Sequence, residues 1–320
     1  MHFYILAVMW EKCNCYFKIC GIFSSPAPVG VRENAEVFSM LTRRTDLADE
    51  AHALWRESSG STTALQGVVA RDEVREGCWV TRVDILDETG ARALGKPVGH
   101  YVTINLTDLK NRADGAFSRS IQAVAVELRA LLKELPPNAP VLVVGLGNRA
   151  ITTDAVGPAA TDHTLVTRHL VEQLPEHFGH LRPVAALATG VLGTTGMESG
   201  ELAQAVSQRL RPAAILAVDA LASRSLERVC TTVQLSDTGI VPGSGVGNHR
   251  QALNQQTFGV PVIAVGVPTV VDGGTLALDL LAEAGEPPPD PAALHGAGAD
   301  VVVTPRDIDQ RVQDLSKVVG

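Results

Sequence analysis

Two aspartates carry the first chemical suggestion in this 320-residue chain. Asp154 follows the all-apolar run Val141–Val144 after a short interval, and Asp219 closes a second apolar run, Ala213–Val218. Short apolar runs ended by glycine or a polar residue read as strands buried on both faces. In a parallel sheet the carboxyl ends of such strands gather at one edge, where substrates bind. Two carboxyl groups meeting there do not ionise independently, so one keeps its proton and the pair serves as acid and base together. An aspartate just after a strand is also an ordinary capping residue, and position alone leaves that alternative open.

Other motifs compete with this pair. Gly145-Leu146-Gly147-Asn148-Arg149-Ala150 follows a strand and matches the dinucleotide fingerprint. Its helix should start inside the motif, yet Thr152, Thr153, Asp154, Gly157 and Pro158 read as a loop. The next strand ends in Ala188-Thr189, with no acidic residue placed for a ribose hydroxyl. Asp237-Thr238-Gly239 imitates the catalytic loop of pepsin-like proteases, but no second copy occurs, and a turn in which Asp237 caps its own backbone is the favoured reading. The run Gly243-Ser244-Gly245-Val246-Gly247-Asn248 precedes a helix expected from Arg250. It reads equally as an anion cradle of backbone amides or as a tight loop needing positive φ. Neither a G-x-S-x-G elbow nor an H-E-x-x-H zinc motif is present.

The elements that must position these residues alternate along the chain. A helical face through Ile121, Val124, Leu128 and Leu131 precedes the 141–144 strand. A helix over 165–174, a strand over 184–188, a helix through Leu202, Val206 and Leu210, and the 213–218 strand follow. Strands over 231–235 and 260–265, helices over 250–257 and 275–284, and a last strand and helix over 301–318 complete the pattern. This alternation predicts an α/β fold: a mostly parallel sheet with helices on both faces. Residues 62–109 read instead as a β-rich N-terminal addition. The expected organisation is an N-terminal extension over 1–46 and one α/β domain over 47–320.

Composition narrows the function. With 45% apolar and 19% charged residues the chain is neither disordered nor a coiled coil. Only 4% aromatic residues argues against base-stacking platforms. A net charge of −8 argues against direct nucleic-acid or membrane-surface binding, though not against a basic protein substrate. The five cysteines, three of them at Cys13, Cys15 and Cys20, form neither a disulfide framework nor a zinc pattern, which suits a reducing cytosol. The apolar runs in the first 39 residues are too short to span a membrane and lack signal-peptide flanks. They read as an extension, a propeptide, or sequence upstream of the true start.

At these motifs the chain resembles the germination protease family of spore-forming bacteria. The resemblance lies in Val143-Val-Gly-Leu-Gly-Asn148, Thr153-Asp154-Ala-Val-Gly157-Pro158 and Leu165-Val-Thr-Arg-His-Leu170. It continues in Asp219-Ala-Leu-Ala-Ser-Arg224, Ser236-Asp-Thr-Gly-Ile240, Pro242-Gly-Ser-Gly-Val-Gly-Asn248 and Gly259–Asp272, and at the front in Arg44-Thr-Asp-Leu-Ala48. It implies a cytoplasmic endopeptidase of the spore core, made as a tetrameric zymogen, that degrades small acid-soluble spore proteins on germination. It implies an atypical aspartic peptidase without cofactor, whose two essential aspartates fall on Asp154 and Asp219, and a core like that of hydrogenase maturation endopeptidases. Asn148, Asp237, Gly245, Asn248 and His249 are candidate supporting residues. Family substrates are cut after an acidic residue and before an apolar one followed by Ala, which places propeptide cleavage at Asp46-Leu47. The competing reading is that Asp46 caps a helix starting at Leu47.

The first 39 residues have no counterpart in the family beyond a short propeptide, and two further departures matter. The family's longer segment between the last helices is reduced here to about 285–299, and His249 stands where the family often has Lys. His249 keeps open an alternative, a metal-dependent maturation-type peptidase using Asp154, Asp219 and His249. In the aspartic reading one carboxylate activates water while the other, protonated, polarises the scissile carbonyl. Backbone amides of residues 145–148 or 243–247 are the candidate oxyanion donors.

Overall fold

A computed structural model describes residues 45–59, 65–243, 250–285 and 301–320. The expectations for residues 1–39, for Gly245, Asn248 and His249, and for the shortened 285–299 segment therefore fall almost wholly outside the described residues.

Nine strands form one sheet among the described residues: β1 Val68–Arg75, β2 Cys78–Ile85, β3 Gly99–Asn105, β4 Val141–Leu146, β5 Val184–Gly190, β6 Ala214–Ser223, β7 Thr232–Ser236, β8 Val262–Asp272 and β9 Val302–Val303. Their order is β1-β2-β3-β7-β8-β6-β4-β5, with β9 on the far part of β8. Only β8-β6-β4-β5 is parallel. The other pairings are antiparallel, so the expected mostly parallel sheet is a mixed one. The β-rich stretch continues the same sheet, because β3 pairs with β7 from Tyr101↔Ser236 to Asn105↔Thr232.

Five helices matter for the site: α1 Ala48–Ser59, α2 Ala116–Leu131, α3 Val156–His163, α4 Ser199–Leu210 and α5 Ile308–Val319. Alternate residues of β4 serve opposite faces. Val143 joins a core with Val124 of α2, Val156 and Ala160 of α3, and Leu315 of α5. Leu142, Val144 and Leu146 join another with Ala203 of α4, Ile215 and Val262. Burial on both faces is why these strands are apolar throughout.

Three local expectations change. Residues 152–158 are a 3-10 turn, Thr152–Asp154, followed at once by α3, with Pro158 in the first turn where no intrahelical N–H is required. The helix expected over 165–174 is confined to Arg168–Gln173, and that over 250–257 to Gln255–Phe258, capped by Asn254. Strands β6 and β8 run several residues past their apolar cores, to Ser223 and Asp272.

Candidate active site

The overrun of β6 creates the site. Strand β4 ends at Leu146, and its last partner on β6 is Val218, so Asp219 is the first β6 residue beyond the ladder with β4. The chain leaving β4 then turns back over this edge. Gly147 holds φ at 111°, and a Cβ there would come within 2.1 Å of the Asp154 carbonyl oxygen. A Cβ on Gly157 would come within 2.2 Å of the Leu146 carbonyl oxygen. Gly147 of the dinucleotide-like motif and Gly157 beyond it thus let the 152–157 turn sit directly on the strand end.

That close approach sets Asp154. Its Oδ2 accepts the Asn148 N–H at 2.7 Å, while Asn148 Oδ1 accepts the Ala150 N–H at 3.0 Å. The Asn148 amide, an expected oxyanion donor, is therefore committed to orienting Asp154. Asp219 is 5% exposed, and its Oδ1 accepts the Ala220 N–H at 2.9 Å. Asp154 and Asp219 line one cavity of about 240 Å³, together with Gly147, Arg250 and Asp46.

Electrostatics separate the two carboxyls. Burial pushes Asp219 well above the usual carboxylate range, and the neighbouring charges of Asp154 and Asp46 push it further. The Ala220 N–H and the Arg250 charge oppose this without cancelling it. Burial also raises half-buried Asp154, opposed by the Asn148 N–H and by Arg250. A strongly raised acid beside a more weakly raised one is the arrangement in which a pair holds one proton.

The segment entering the fold reaches the same cavity. The Asp46 N–H donates to the Ala222 carbonyl at 2.9 Å, and Asp46 Oδ2 accepts the Ala222 N–H at 2.8 Å. Gln234 Nε2 donates to the Asp46 carbonyl at 3.2 Å, and Lys96 Nζ donates to the Thr45 carbonyl at 3.1 Å. Leu47 is fully buried, and α1 begins one residue after it.

Asp237 lies elsewhere. Its carboxylate accepts the His100 N–H at 2.8 Å and pairs with His100 Nδ1 at 2.8 Å, away from the cavity. Gly245, Asn248 and His249 lie outside the described residues. Among the described residues no three His, Cys, Asp or Glu side chains group as a metal ion would require. Two site residues went unnoticed in the sequence. Arg250 follows a glycine-rich run that drew attention to itself, whereas Gln234 left a fainter signal, a lone amide between Val233 and Leu235 in a fully buried strand.

The germination protease family model matches residues 46–282, so it begins at Asp46 and includes Asp154, Asp219, Gln234 and Arg250. This chain belongs to the germination protease family. A germination protease of Clostridium perfringens (strain ATCC 13124) is 40% identical over 307 residues, covering 88% of this chain and 94% of that protein. The germination protease of Caldanaerobacter subterraneus is 48% identical over 239 residues, covering 74% of this chain and 72% of its own. That of Bacillus cytotoxicus is 43% identical over 242 residues, covering 74% and 65%. The matched region therefore contains Asp46, Gly147, Asp154, Asp219 and Arg250 of the cavity lining.

Proposed function

We propose that this chain is an endopeptidase of spore germination that cleaves small acid-soluble spore proteins at an Asp154–Asp219 pair, after removing its own N-terminal segment at Asp46-Leu47. Membership of the germination protease family makes it a protease, and no helix among the described residues is long and apolar enough to cross a membrane. The observation that carries the catalytic reading is the buried Asp219 carboxyl, held toward its protonated form beside Asp154 in a cavity that an acidic residue of the chain itself enters.

The unequal environments suggest the roles. Asp154, as carboxylate, takes a proton from a water whose oxygen attacks the scissile carbonyl carbon. Asp219, protonated, donates to the carbonyl oxygen as charge develops there. Collapse of the tetrahedral species returns the Asp219 proton, passes the Asp154 proton to the leaving nitrogen and breaks the C–N bond. Arg250 holds both acids below where burial alone would set them. A homotetramer in the spore core completes the reading.

The test is digestion of a purified small acid-soluble spore protein by the full chain, with and without a strong chelator. Equal cleavage in both is expected. Loss of cleavage on chelation would overturn the metal-free reading in favour of the metal-dependent alternative.

A further inference from the structure

Gln234 is 7% exposed in the middle of the sheet, and both ends of its carboxamide are engaged by one short peptide segment. Nε2 donates to the Asp46 carbonyl at 3.2 Å, and Oε1 accepts the Ala48 N–H at 2.7 Å. A backbone amide only donates and a carbonyl only accepts, so these partners fix the orientation of the amide. The two bonds flank Leu47: one reaches the carbonyl of the Asp46-Leu47 peptide bond, the other the first N–H of α1. Gln234 thus holds the chain entering α1 by its backbone.

The register of the sheet relates this residue to the carboxyl pair. Asp219 of β6 pairs with Gly266 of β8, and Gly266 pairs with Gln234 of β7. Residues in one transverse row project to the same face, so Asp219 and Gln234 face the same groove from strands about 10 Å apart. Gly266 between them carries no side chain, and Leu221 leans over it, a Cβ there falling 2.2 Å from Leu221 Cδ1. Asp46 and Leu221 line both the Asp154–Asp219 cavity and the adjoining one that contains Gln234 and Lys96. A peptide crossing this row meets the acid from one side and the amide from the other.

We propose that Gln234 is a catalytic residue of the peptidase: its Nε2–H donates to the carbonyl oxygen of the bond to be cut and stabilises the oxyanion that forms there. The Asp46 carbonyl occupies that position in this structure, and a protein substrate would present its own acidic residue's carbonyl in the same place. This rests on the peptidase reading and on Asp46-Leu47 as the self-substrate. Gln234 supplies a side-chain donor where the Asn148 amide is already bonded to Asp154. Removing one donor of this kind lowers kcat by roughly 10²–10³-fold.

The experiment compares wild type, Gln234→Glu and Asp219→Asn as full chains on a small acid-soluble spore protein, with kcat and KM measured from pH 4 to 8. Gln234→Glu keeps the shape and the acceptor for the Ala48 N–H but loses the N–H donor. The expected result is a kcat about 10²–10³-fold lower at pH 7 with KM within about threefold, and a deficit that shrinks toward pH 4 as the new carboxyl regains a proton to donate. A pH-independent deficit, or a kcat within about threefold of wild type at pH 7, overturns the proposal and leaves Gln234 as a helix-start anchor. If Gln234→Glu does not fold, Gln234→Met, which keeps volume and removes the donor, decides the matter in the same way: a wild-type kcat overturns it. An inactive Asp219→Asn beside a fully active Gln234→Glu defeats only this proposal, whereas an inactive wild type defeats the peptidase reading and this proposal together.

Discussion

Asp46 and Ala222 are joined by two hydrogen bonds, one through the Asp46 N–H and one through its carboxylate, at 2.9 and 2.8 Å. Ala222 lies three residues beyond Asp219 on β6, so the bonds hold residue 46 on the strand that carries the buried acid. An apolar or longer side chain at position 46 would not place an acceptor on the Ala222 N–H. This geometry is what a substrate cut after an acidic residue would need.

Processing is therefore expected at Asp46-Leu47. After incubation near pH 5, N-terminal sequencing should find a product beginning at Leu47, and the Asp154→Asn chain should yield none. Asp46→Ala loses a charge-assisted bond and should slow processing by about 10- to 100-fold. The same product from the Asp154→Asn chain would mean that another protease made the cut.

The carboxyl pair should behave as one unit. Asp154→Asn and Asp219→Asn each keep size and remove ionisation, so each should lower turnover by at least about 10³-fold, and the double variant should be no worse than either alone. Circular dichroism and melting temperature serve as controls for the fold. Near wild-type turnover in either single variant would reduce that aspartate to a structural role.

What could be read from residues alone follows from how local each signal is. The cores of β4 and β6 stand out because burial on both faces makes them apolar end to end, and the spacing from Gly145 to Gly157 marks a turn that must sit tightly on a strand. The direction of β7 is not local. Thr232–Ser236 looks the same paired either way, and only its partners β3 and β8 make it antiparallel. The apolar pattern ends β6 too early because Asp219 interrupts it, although the backbone ladder to β8 continues through Asp219 to Ser223. Gln234 escaped notice because one buried amide has no periodicity. Its meaning lies in Asp46 and Ala48, which are 188 and 186 residues away.

Arg250 should set the pH range. Its charge lowers both Asp154 and Asp219, so Arg250→Gln lets both rise. The base must be ionised and the acid protonated, so both limbs of the bell-shaped profile of kcat/KM should move to higher pH together. Measuring that profile for the variant tests this. An acid limb that stays in place, or moves to lower pH, would show that the Arg250 charge does not act on the base.

Asp219→Asn should raise stability at neutral pH while it destroys activity. The folded-state pKa of Asp219 is raised by burial, so the folded chain holds this proton more tightly than the unfolded chain does. Above the ordinary carboxyl value of about 3.9, the wild type loses stability as pH rises through the window up to the raised pKa, because ionising a buried group opposes folding. Asparagine has no such ionisation, so the variant should melt higher than wild type at pH 7 and about level with it near pH 3.5. For a chain of this size each kcal/mol relieved should appear as roughly 1.5–2 °C in melting temperature. Thermal melts of both proteins from pH 3.5 to 8 measure the difference directly. A variant that melts below wild type at pH 7 would mean that the Ala220 N–H and Arg250 hold the Asp219 carboxylate more favourably than burial penalises it, and the assignment of Asp219 as the protonated partner would fall with that result.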